Sequence, residues 1–400
     1  MSLHGNIKMS QSECLRKFLA DRICISLTES SNHMKKIIHA AFCIDDSFSV
    51  HLAALIHSLG KYLNQDFQLK CHILARLNGE NILKLSKLNS ENIVIKFHDN
   101  LPSYKNIPIS SLYNNRLNEV TYYRFAISHV LQNIDKVLFI DADMIAVGDV
   151  SSLWSIEMGG AVVAVVSDHI LGYDKEKQQE RGISSGKYFN AGFMLMDLDK
   201  WRETNISEQA LGLLIDNNGF EHNDQDALNI ILEKKTFYLD TKWNAQPNHL
   251  AQQDVPMPVL VHFCGQEKPW HAYCVHPFKD HYLESRAETE YACEPLQTYL
   301  DQDDMEILSR LKMKFPNGAR VVVWGAGQRG RRLCYEMINN MSQYSIVHFV
   351  DKNINGEFMG IKISNHLLDI KAIDAIIIAS IPYRAEIIDE IGANAGLAYI

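Results

Sequence analysis

Short apolar runs alternate with longer amphipathic segments from about residue 35 to residue 280. Apolar runs of about four to eight residues are typical of buried strands, and apolar positions that recur with a helical period are typical of helices. The pattern predicts a first strand over 37–42 and then a helix over 50–63. Strands that alternate with helices indicate an α/β domain over 35–280 with a mostly parallel sheet. Its further predicted strands are 71–74, 93–97, 137–140, 161–166, 193–196, 237–238 and 259–263.

The pattern changes on both sides of this region. Residues 1–34 are mixed and polar and are predicted to form an N-terminal extension, with Met34 as an alternative translation start. Residues 281–318 turn polar and acidic around one helical pattern near 305–313, which predicts a connector. Residues 319–400 begin with an apolar run, a glycine-rich turn and a helical pattern, and a second strand follows. This order predicts a small Rossmann-like α/β domain.

Composition narrows the function classes. Of the 400 residues, 46% are hydrophobic and 22% are charged, which is ordinary for a soluble globular protein of two or three domains. The formal net charge of -9 argues against nucleic acid as the main partner, because a phosphate backbone requires clustered Lys and Arg. The eight cysteines show no paired ligand spacing and follow no signal peptide, so a cytoplasmic protein with reduced thiols is expected. No apolar run approaches the roughly 18 residues of a membrane span, so any membrane contact is expected to be peripheral, at the inner face of the cytoplasmic membrane.

The apolar run that ends at Ile140 is followed by Asp141 and Asp143. Metal and phosphate ligands lie at the carboxyl ends of strands in open α/β sheets, and alternate residues of a strand point to the same side. Both carboxylates can therefore reach one hard cation such as Mn²⁺ or Mg²⁺, with capping of the strand end as the alternative. Among the other Asp-X-Asp triplets, 197–199 is typical of a helix N-cap and 301–303 of solvated surface.

Three more segments place polar groups where a ligand could bind. Asp45 and Asp46 follow the first strand, where a carboxylate could accept the imide N–H of a uracil or cap a helix. Arg124 lies on a predicted amphipathic helix and suits a phosphate or a sugar, with a surface arginine as the alternative. Asn190 and Gly192 precede a predicted strand and suit sugar hydroxyls, with a plain tight turn as the alternative.

Two later segments complete the candidate chemistry. Asp224 and Gln225 lie in a polar cluster just before a helical pattern, which a helix N-cap explains in part. His262 lies on an apolar strand, where most histidines are satisfied core residues. It is followed by Gly265, which permits close backbone approach, and by Lys268, which can bind a diphosphate. This context favours a role for His262 beside the cation site.

Taken in order, these segments resemble the motifs of family 8 glycosyltransferases, which include bacterial lipopolysaccharide galactosyl- and glucosyltransferases and glycogenin. The resemblance spans about residues 35–280, and its most specific part combines Asp141-Ala142-Asp143 with the segment from His262 to Trp270. It implies a GT-A-like nucleotide-diphospho-sugar transferase fold with a mixed, mostly parallel sheet. It also implies a retaining enzyme that moves galactose or glucose from a UDP-sugar to a glycan, with lipopolysaccharide core or capsule as the expected acceptor.

Matched position by position, the resemblance implies that Asp141, Asp143 and His262 bind a Mn²⁺ or Mg²⁺ that also holds the donor diphosphate. Asp224 and Gln225 are the expected catalytic positions. Retention through a covalent intermediate and retention by same-face attack both stay open, although Gln225 is a poor nucleophile and favours same-face attack. The family more often has Asn-Tyr at 47–48, so Phe48 retains uracil stacking and loses a hydroxyl hydrogen bond. The residues expected to contact the donor are Asp45 and Phe48 at the uracil, Gly265 and Lys268 at the diphosphate, Arg124 and Asp168 at the sugar or phosphates, and Asn190 and Ala191 in the sugar pocket.

The C-terminal region supports rival functions. Gly325, Gly327 and Gly330 follow a strand, and Asp351 comes about twenty residues later, which is the spacing of a dinucleotide fingerprint. An NAD-dependent oxidoreductase or a nucleotide-binding regulatory protein is therefore the alternative function. The region is short for a whole dinucleotide fold, so binding of a nucleotide or sugar nucleotide and association alone both stay open. A catalytically silent glycan-binding or scaffold protein is disfavoured because Asp141, Asp143, His262 and Lys268 are all present.

Overall fold

The computed structural model describes residues 35–110, 118–252, 256–366, 373–392 and 398–400. The predicted N-terminal extension and the alternative start at Met34 lie outside these ranges. Two larger β-sheets and one two-stranded pair organise the described residues.

The first nine strands belong to the N-terminal part of the chain. Seven of them form one sheet, in which β1 to β4 run parallel to one another where they pair, and β7 runs antiparallel to both of its neighbours. The sheet is therefore mixed and mostly parallel, as predicted. The strands are β1 (Lys36–Cys43), β2 (Phe67–Leu74), β3 (Ile93–His98), β4 (Lys136–Ile140), β5 (Met144–Ala146), β6 (Val163–Ser167), β7 (Phe189–Asp197), β8 (Thr236–Tyr238) and β9 (Leu260–His262), with the sheet order β3-β2-β1-β4-β7-β6-β8 and the separate pair β5-β9.

Helices connect these strands and cover the sheet. Short 3-10 helices supplement them, and the segment around Arg124 is one of these (Glu119–Ala126) rather than the predicted α-helix. Asn118 caps its start by accepting a hydrogen bond from the N–H of Val120. In the described part of the chain, no helix has both the length and the apolar character that crossing a bilayer requires. The α-helices are α1 (Ser49–Tyr62), α2 (Gly79–Ser86), α3 (Ile127–Val130), α4 (Lys175–Glu180), α5 (Leu198–Glu203), α6 (Ile206–Asp216), α7 (Asp224–Ile231), α8 (Pro247–Leu250) and α9 (Lys279–Ala287).

The central strands are buried on both faces. In β4, Leu138 and Ile140 pack into one core while Val137 and Phe139 pack into the core on the opposite face. Strands covered on both faces are apolar at nearly every position, so β4 could be predicted from the sequence. Each such Leu, Ile or Phe contributes about 1.5–3 kcal/mol by leaving water. The carboxyl end of β4 is therefore held on a rigid support.

The C-terminal part contains a second sheet. Its neighbouring strands are parallel except for the antiparallel pair β12-β13, and β10, α11 and β11 form the predicted βαβ unit. A side chain at Gly330 would collide with the carbonyl of Gly325, so glycine lets α11 start close to β10. The elements are α10 (Gln302–Lys314), β10 (Ala319–Trp324), α11 (Gln328–Asn340), β11 (Tyr344–Val350), β12 (Gly356–Phe358), β13 (Ile361–Ser364), β14 (Ala375–Ile378), α12 (Arg384–Ile391) and β15 (Ala398–Tyr399), in the sheet order β12-β13-β11-β10-β14-β15.

Three local predictions differ from the structure. β7 begins at Phe189 rather than at the predicted 193, so Asn190 and Gly192 lie in a strand and not in a turn. The predicted domain division at residue 280 falls inside α9. Asp301 is not solvated surface, because it caps the N-terminus of α10 and pairs with Arg332 at 2.7 Å. Asparagine and glycine misled the first prediction, since both residues are enriched in turns.

Candidate active site

The carboxyl end of β4 delivers Asp141 and Asp143 to a point where other backbone segments converge. β5 and β9 pair with Met144 opposite His262, and the N–H of Phe263 donates to the carbonyl of Asp143 at 3.0 Å. This register places His262 beside the two carboxylates. One ligand atom from each of Asp141, Asp143 and His262 lies within 4.8 Å of the others. The structure thus brings together the three residues that the sequence predicts as metal ligands.

A buried amide fixes the orientation of the His262 ring. Nδ1 of His262 lies 3.0 Å from Oδ1 of Asn244, whose Nδ2 donates to Oδ1 of Asn190 at 3.0 Å. In a neutral imidazole these bonds place the ring proton on Nδ1 and leave the lone pair of Nε2 for a cation. Nε2 lies 3.1 Å from Oδ1 of Asp143. A nitrogen lone pair that faces a carboxylate at this distance suits a shared cation, and two carboxylates with one oriented imidazole fit a divalent metal.

The neighbouring strand leaves little free space at this site. The N–H of Asp141 donates to the carbonyl of Gly192 at 2.8 Å, so the backbone of β7 passes directly beside the carboxylates. A Cβ atom at position 192 would stand 2.5 Å from Cε1 of His262 and 2.7 Å from Oδ2 of Asp141. Gly192 does not adopt a left-handed backbone conformation. Glycine is therefore required here for close approach and not for its φ angle.

Lys268 adds a positive charge to the site. Its Nζ lies 2.6 Å from Oδ2 of Asp143 and 2.6 Å from the carbonyl oxygen of Phe263. Burial would raise the pKa of Asp143, but the charge of Lys268 is the largest opposing influence, and that pKa lies below its usual range. Gly265 turns the chain between them with a φ of 84°, in the left-handed region that favours glycine. Asp143 is therefore ionised beside an ammonium group.

Arg124 joins two buried carboxylates. Its Nη2 lies 3.2 Å from Oδ1 of Asp141, and its Nη1 lies 2.8 Å from Oδ2 of Asp224 and 2.9 Å from the carbonyl oxygen of Ala191. The arginine side chain is only 8% exposed, so protein groups rather than solvent surround it. Burial raises the pKa of Asp141 and of Asp224, and the charge of Arg124 opposes both shifts. Arg124 thus favours the ionised form of both carboxylates.

Asp168, Asn190 and Gln225 form one hydrogen-bonded cluster. Oδ2 of Asp168 accepts from Nδ2 of Asn190 and from Nε2 of Gln225, both at 3.3 Å. Oε1 of Gln225 accepts from the N–H of Ala191 at 3.0 Å. The other oxygen of Asp168 accepts from backbone N–H groups of the turn that follows it. Four predicted donor or catalytic residues therefore lie together, although they come from three different segments of the chain.

Asp45 borders a cavity of about 460 Å³. It caps the following 3-10 helix, because its Oδ1 accepts from the N–H of Ser47 at 3.0 Å. Its Oδ2 accepts from Nδ2 of Asn118 at 2.8 Å. Both sequence alternatives for Asp45, a helix cap and a residue that faces a ligand-sized space, are therefore compatible with its position. Other residues that line the cavity are Arg76, Lys105, Asn118 and Tyr123.

Phe48 packs in an aromatic cluster with His51, Trp270 and Tyr282. Its ring stands edge-on to Trp270 with centroids 6.0 Å apart, and His51 stacks on Trp270 with centroids 3.5 Å apart. Nδ1 of His51 lies 2.7 Å from the hydroxyl of Tyr282 in α9. The cluster fastens α9 to the segment that follows Lys268. It does not bring Phe48 to the wall of the Asp45 cavity, where uracil stacking would be expected.

Sequence reasoning missed Asn244 and Gln246, which are both fully buried. Asn244 orients His262, and Oε1 of Gln246 accepts from the N–H of His169 at 3.0 Å. Ala245, between them, bridges to Val261 of β9. The signal that could have identified Asn244 and Gln246 is a pair of amide side chains on either side of Ala245, shortly before the apolar strand β9.

The glycine-rich turn of the second sheet is closed by Asp351. Its Oδ2 accepts from the N–H of Ala326 at 2.8 Å, and its Oδ1 accepts from the N–H of Asn353 at 2.9 Å. Gly325 adopts a φ of 105°, and Gly327 immediately precedes α11. The carboxylate that a ribose would use is therefore already bonded to the turn itself. A nucleotide at this turn stays a prediction.

Known proteins resemble the chain in this same region. The profile of "Glycosyl transferase family 8" matches residues 39–274. General stress protein A of Bacillus subtilis (strain 168) is 28% identical over 277 residues, with 64% of this chain and 95% of that protein covered. The lipopolysaccharide 1,2-glucosyltransferase of Escherichia coli (strain K12) is 26% identical over 268 residues, with 61% of this chain and 76% of that protein covered.

A solved structure of galactosyltransferase LgtC in complex with donor and acceptor sugar analogs is similar with a TM-score of 0.54 and 21% identity, covering 67% of this chain and 99% of that chain. This likeness shows a shared GT-A-like fold. The profile match extends over more than half of the chain and includes Asp141, Asp143, His262 and Lys268. On that match, together with the site that these residues form, the chain belongs to glycosyl transferase family 8.

Proposed function

We propose that this family 8 glycosyltransferase is a retaining enzyme that transfers galactose or glucose from a UDP-sugar to a glycan acceptor. The observation that carries the proposal is the convergence of Asp141, Asp143 and His262 beside the ammonium group of Lys268. Metal ligands next to a lysine suit a diphosphate leaving group, because both positive charges meet phosphate oxygens. Carboxylates suit Mg²⁺ and Mn²⁺ and imidazole suits transition metals, so the mixed ligand set supports Mn²⁺.

The proposed donor site extends in two directions from these residues. Asp45 is the proposed uracil contact, because it borders the cavity described above. Lys268 and the turn at Gly265 are proposed to hold the diphosphate. The sugar pocket is proposed to be lined by the cluster of Asp168, Asn190, Ala191 and Gln225.

Two predicted donor contacts are proposed in a modified form. Arg124 is buried between Asp141 and Asp224, so we assign it the positioning of these carboxylates rather than a direct contact with phosphate. Phe48 packs on Trp270, which follows Lys268 in the chain. This contact supports a packing role for Phe48 rather than uracil stacking.

The mechanism follows from the charges at the site. A bound divalent metal supplies positive charge that stabilises the departing diphosphate. Lys268 adds a second positive charge at the same place, and Asp143 holds its ammonium group in position. As the bond between the anomeric carbon and the diphosphate oxygen breaks, that carbon becomes cation-like. The acceptor hydroxyl then forms the new bond, and its proton passes to an oxygen of the leaving diphosphate.

The bonding of the two predicted catalytic residues supports same-face attack. A covalent intermediate would need a free nucleophilic oxygen on the far face of the sugar. Gln225 offers only an amide oxygen that already accepts from Ala191, and both oxygens of Asp224 are bonded, to Thr121 and to Arg124. We therefore assign Gln225 and Asp224 the stabilisation and positioning of the reacting sugar.

The relatives support the sugar and the acceptor class. One is named as a lipopolysaccharide glucosyltransferase, and a solved structure with the same fold is named as a galactosyltransferase. We propose lipopolysaccharide core or capsule as the acceptor. A cytoplasmic enzyme whose membrane contact is at most peripheral, at the inner face, is proposed on the same basis.

The second sheet is proposed to be a small Rossmann-like domain that binds a nucleotide or serves association. An NAD-dependent oxidoreductase is the weaker alternative, because Oδ2 of Asp351 already accepts from the N–H of Ala326 in the glycine turn, and its Oδ1 accepts from the N–H groups of Asn353 and Ile354. Absorbance of a cofactor bound to the purified protein would favour that alternative.

The test is UDP release from a panel of UDP-sugars, with and without Mn²⁺. Asp143→Asn should abolish metal-dependent release. Asp199→Asn is a matched control, because Asp199 also belongs to an Asp-X-Asp triplet but its side chain is 62% exposed. Release from one donor that requires both Mn²⁺ and Asp143 would identify the sugar. No release from any donor, together with no donor binding by calorimetry, would contradict the proposal.

A further inference from the structure

An ion pair connects the second sheet to the residue that precedes Lys268. Nη2 of Arg331, in α11, lies 3.1 Å from Oε1 of Glu267. The side chain of Arg331 is 10% exposed and that of Glu267 is 30% exposed, so the pair is partly shielded from water. Shielding distinguishes it from ordinary surface pairs, which contribute little.

Each partner of this pair makes a second bond. Oε1 of Glu267 also accepts from the N–H of Val275 at 3.0 Å, so the carboxylate closes the segment 267–275, called here the lysine loop. Nη1 of Arg331 donates to the carbonyl oxygen of Ala326 at 3.2 Å, in the glycine-rich turn. The guanidinium therefore spans from the glycine-rich turn to the lysine loop. The planar fork of a guanidinium holds these two acceptors through two different nitrogens.

The connector holds the lysine loop from another side. The N–H of Gln297 donates to the carbonyl of Trp270 at 2.8 Å, and the carbonyl of Gln297 accepts from the N–H of Ala272 at 3.0 Å. The ring of Tyr299 lies 5.9 Å from the guanidinium carbon of Arg332, the residue after Arg331. The connector thus contacts the lysine loop at Trp270 and Ala272, and α11 contacts it at Glu267.

Lys268 lies within the lysine loop and directly follows Glu267. Its Nζ bonds are to Asp143 and to the carbonyl of Phe263, while its backbone carbonyl accepts from the N–H of His271 within the loop. A displacement of about 1 Å at a group that binds the leaving phosphate can cost up to a hundredfold in rate. We propose that Arg331 is a positioning residue of the transferase, which sets Lys268 on the donor diphosphate by holding Glu267. The second sheet is then a structural part of the active site, and this inference rests on the proposed function.

The experiment compares UDP with uridine as ligands of the full chain. Calorimetry with Mn²⁺ present should show that Arg331→Gln weakens UDP binding by about tenfold or more while uridine binding stays within about twofold, because only UDP carries the phosphates that Lys268 meets. Arg331→Lys should recover part of the loss, since its ammonium group still reaches Glu267. Arg331→Gln combined with Glu267→Gln should bind UDP no more weakly than either single variant.

A second measurement reports on the loop without any ligand. Hydrogen exchange in peptides that contain residues 267–275 should be several-fold faster in Arg331→Gln. The matched control is Arg310→Gln, which removes an arginine from the exposed pair with Glu306 in α10 and should change neither readout.

The outcomes separate the two proposals. Equal loss of UDP and uridine binding, or unchanged exchange in the lysine loop, would overturn the positioning role. If the unmodified protein bound no UDP and hydrogen exchange in the lysine loop were still faster in Arg331→Gln, the coupling of Arg331 to the loop would be supported and the proposed function would be contradicted. If the unmodified protein bound UDP and Arg331→Gln bound it equally well, the positioning role of Arg331 would be contradicted and the proposed function would be supported.

Discussion

A methyl group on Gly192 would stand 2.5 Å from Cε1 of His262, which is closer than carbon atoms approach in folded proteins. Gly192→Ala must therefore displace His262 or Asp141, and we expect a loss of Mn²⁺ affinity of roughly tenfold or more together with lower UDP release. Mn²⁺ titration by calorimetry measures the affinity directly.

Gly212→Ala is the matched control for this prediction. Gly212 lies inside α6, and an added Cβ would meet no atom within 4 Å. Alanine there should leave metal affinity unchanged and stabilise the chain by about 0.4–1 kcal/mol. Equal Mn²⁺ affinity in both variants would show that the close approach of β7 does not constrain the ligands.

Asn244→Ala should weaken metal binding although Asn244 is not a ligand. Loss of its Oδ1 frees the Nδ1 proton of His262 and lets the ring change tautomer or rotate. Partners that orient a metal-binding histidine typically account for about 10–100-fold in affinity. Asn339→Ala, on the exposed side of α11, serves as the control. A metal affinity within about twofold of the unmodified protein would refute the orienting role.

Arg124→Lys should destabilise the fold. Lysine can reach Asp141 or Asp224 but not both, so one buried carboxylate loses its partner. Breaking a buried pair costs roughly 3–5 kcal/mol, and we expect a loss of about 3 kcal/mol in the free energy of unfolding by urea. Arg310→Lys, in an exposed pair, should change it by less than about 0.5 kcal/mol. Equal effects of the two variants would contradict the proposed bridge.

His51 should make stability depend on pH. Burial lowers its pKa to about 3, whereas a histidine in an unfolded chain titrates near 6.5. Between these values the unfolded state binds a proton that the folded state does not, so the free energy of unfolding falls as pH decreases below about 6.5. One such group contributes a slope of up to about 1.4 kcal/mol per pH unit.

His51→Gln should therefore flatten the dependence of urea stability on pH between pH 6.5 and about 4.5. His129→Gln is the control, because the side chain of His129 is 61% exposed. An unchanged slope in His51→Gln would mean that His51 is not held neutral in the folded state.

The sequence predicted the elements whose signals are local. β4 and the carboxylates at its end could be predicted because a strand that is buried on both faces is a continuous apolar run. His262 was recognised only from its neighbours Gly265 and Lys268, since its contact with Asp143 comes from the register of β5 and β9.

Other features depend on partners that are distant along the chain. The bonds from Asn244 to Asn190 and from Arg331 to Glu267 join residues that only the folded sheet brings together. The start of β7 was predicted too late because the glycine in that strand lets His262 and Asp141 approach the backbone closely. In the sequence, a glycine with this role looks the same as a glycine in a turn.

The pairing of Gln297 with the lysine loop limits where recombination could join the N-terminal part of this protein to a different C-terminal sheet. A gene fragment that ended where the family match ends, at residue 274, would encode Asp141, Asp143, His262 and Lys268. It would leave the carbonyl of Trp270 and the N–H of Ala272 without the partner they have here. Unpaired backbone groups at such an edge invite pairing with another chain. Recombination that exchanges the C-terminal sheet among relatives would therefore preserve these backbone bonds only if the crossover lay beyond the connector, and a replacement sheet would need its own arginine to preserve the pair with Glu267.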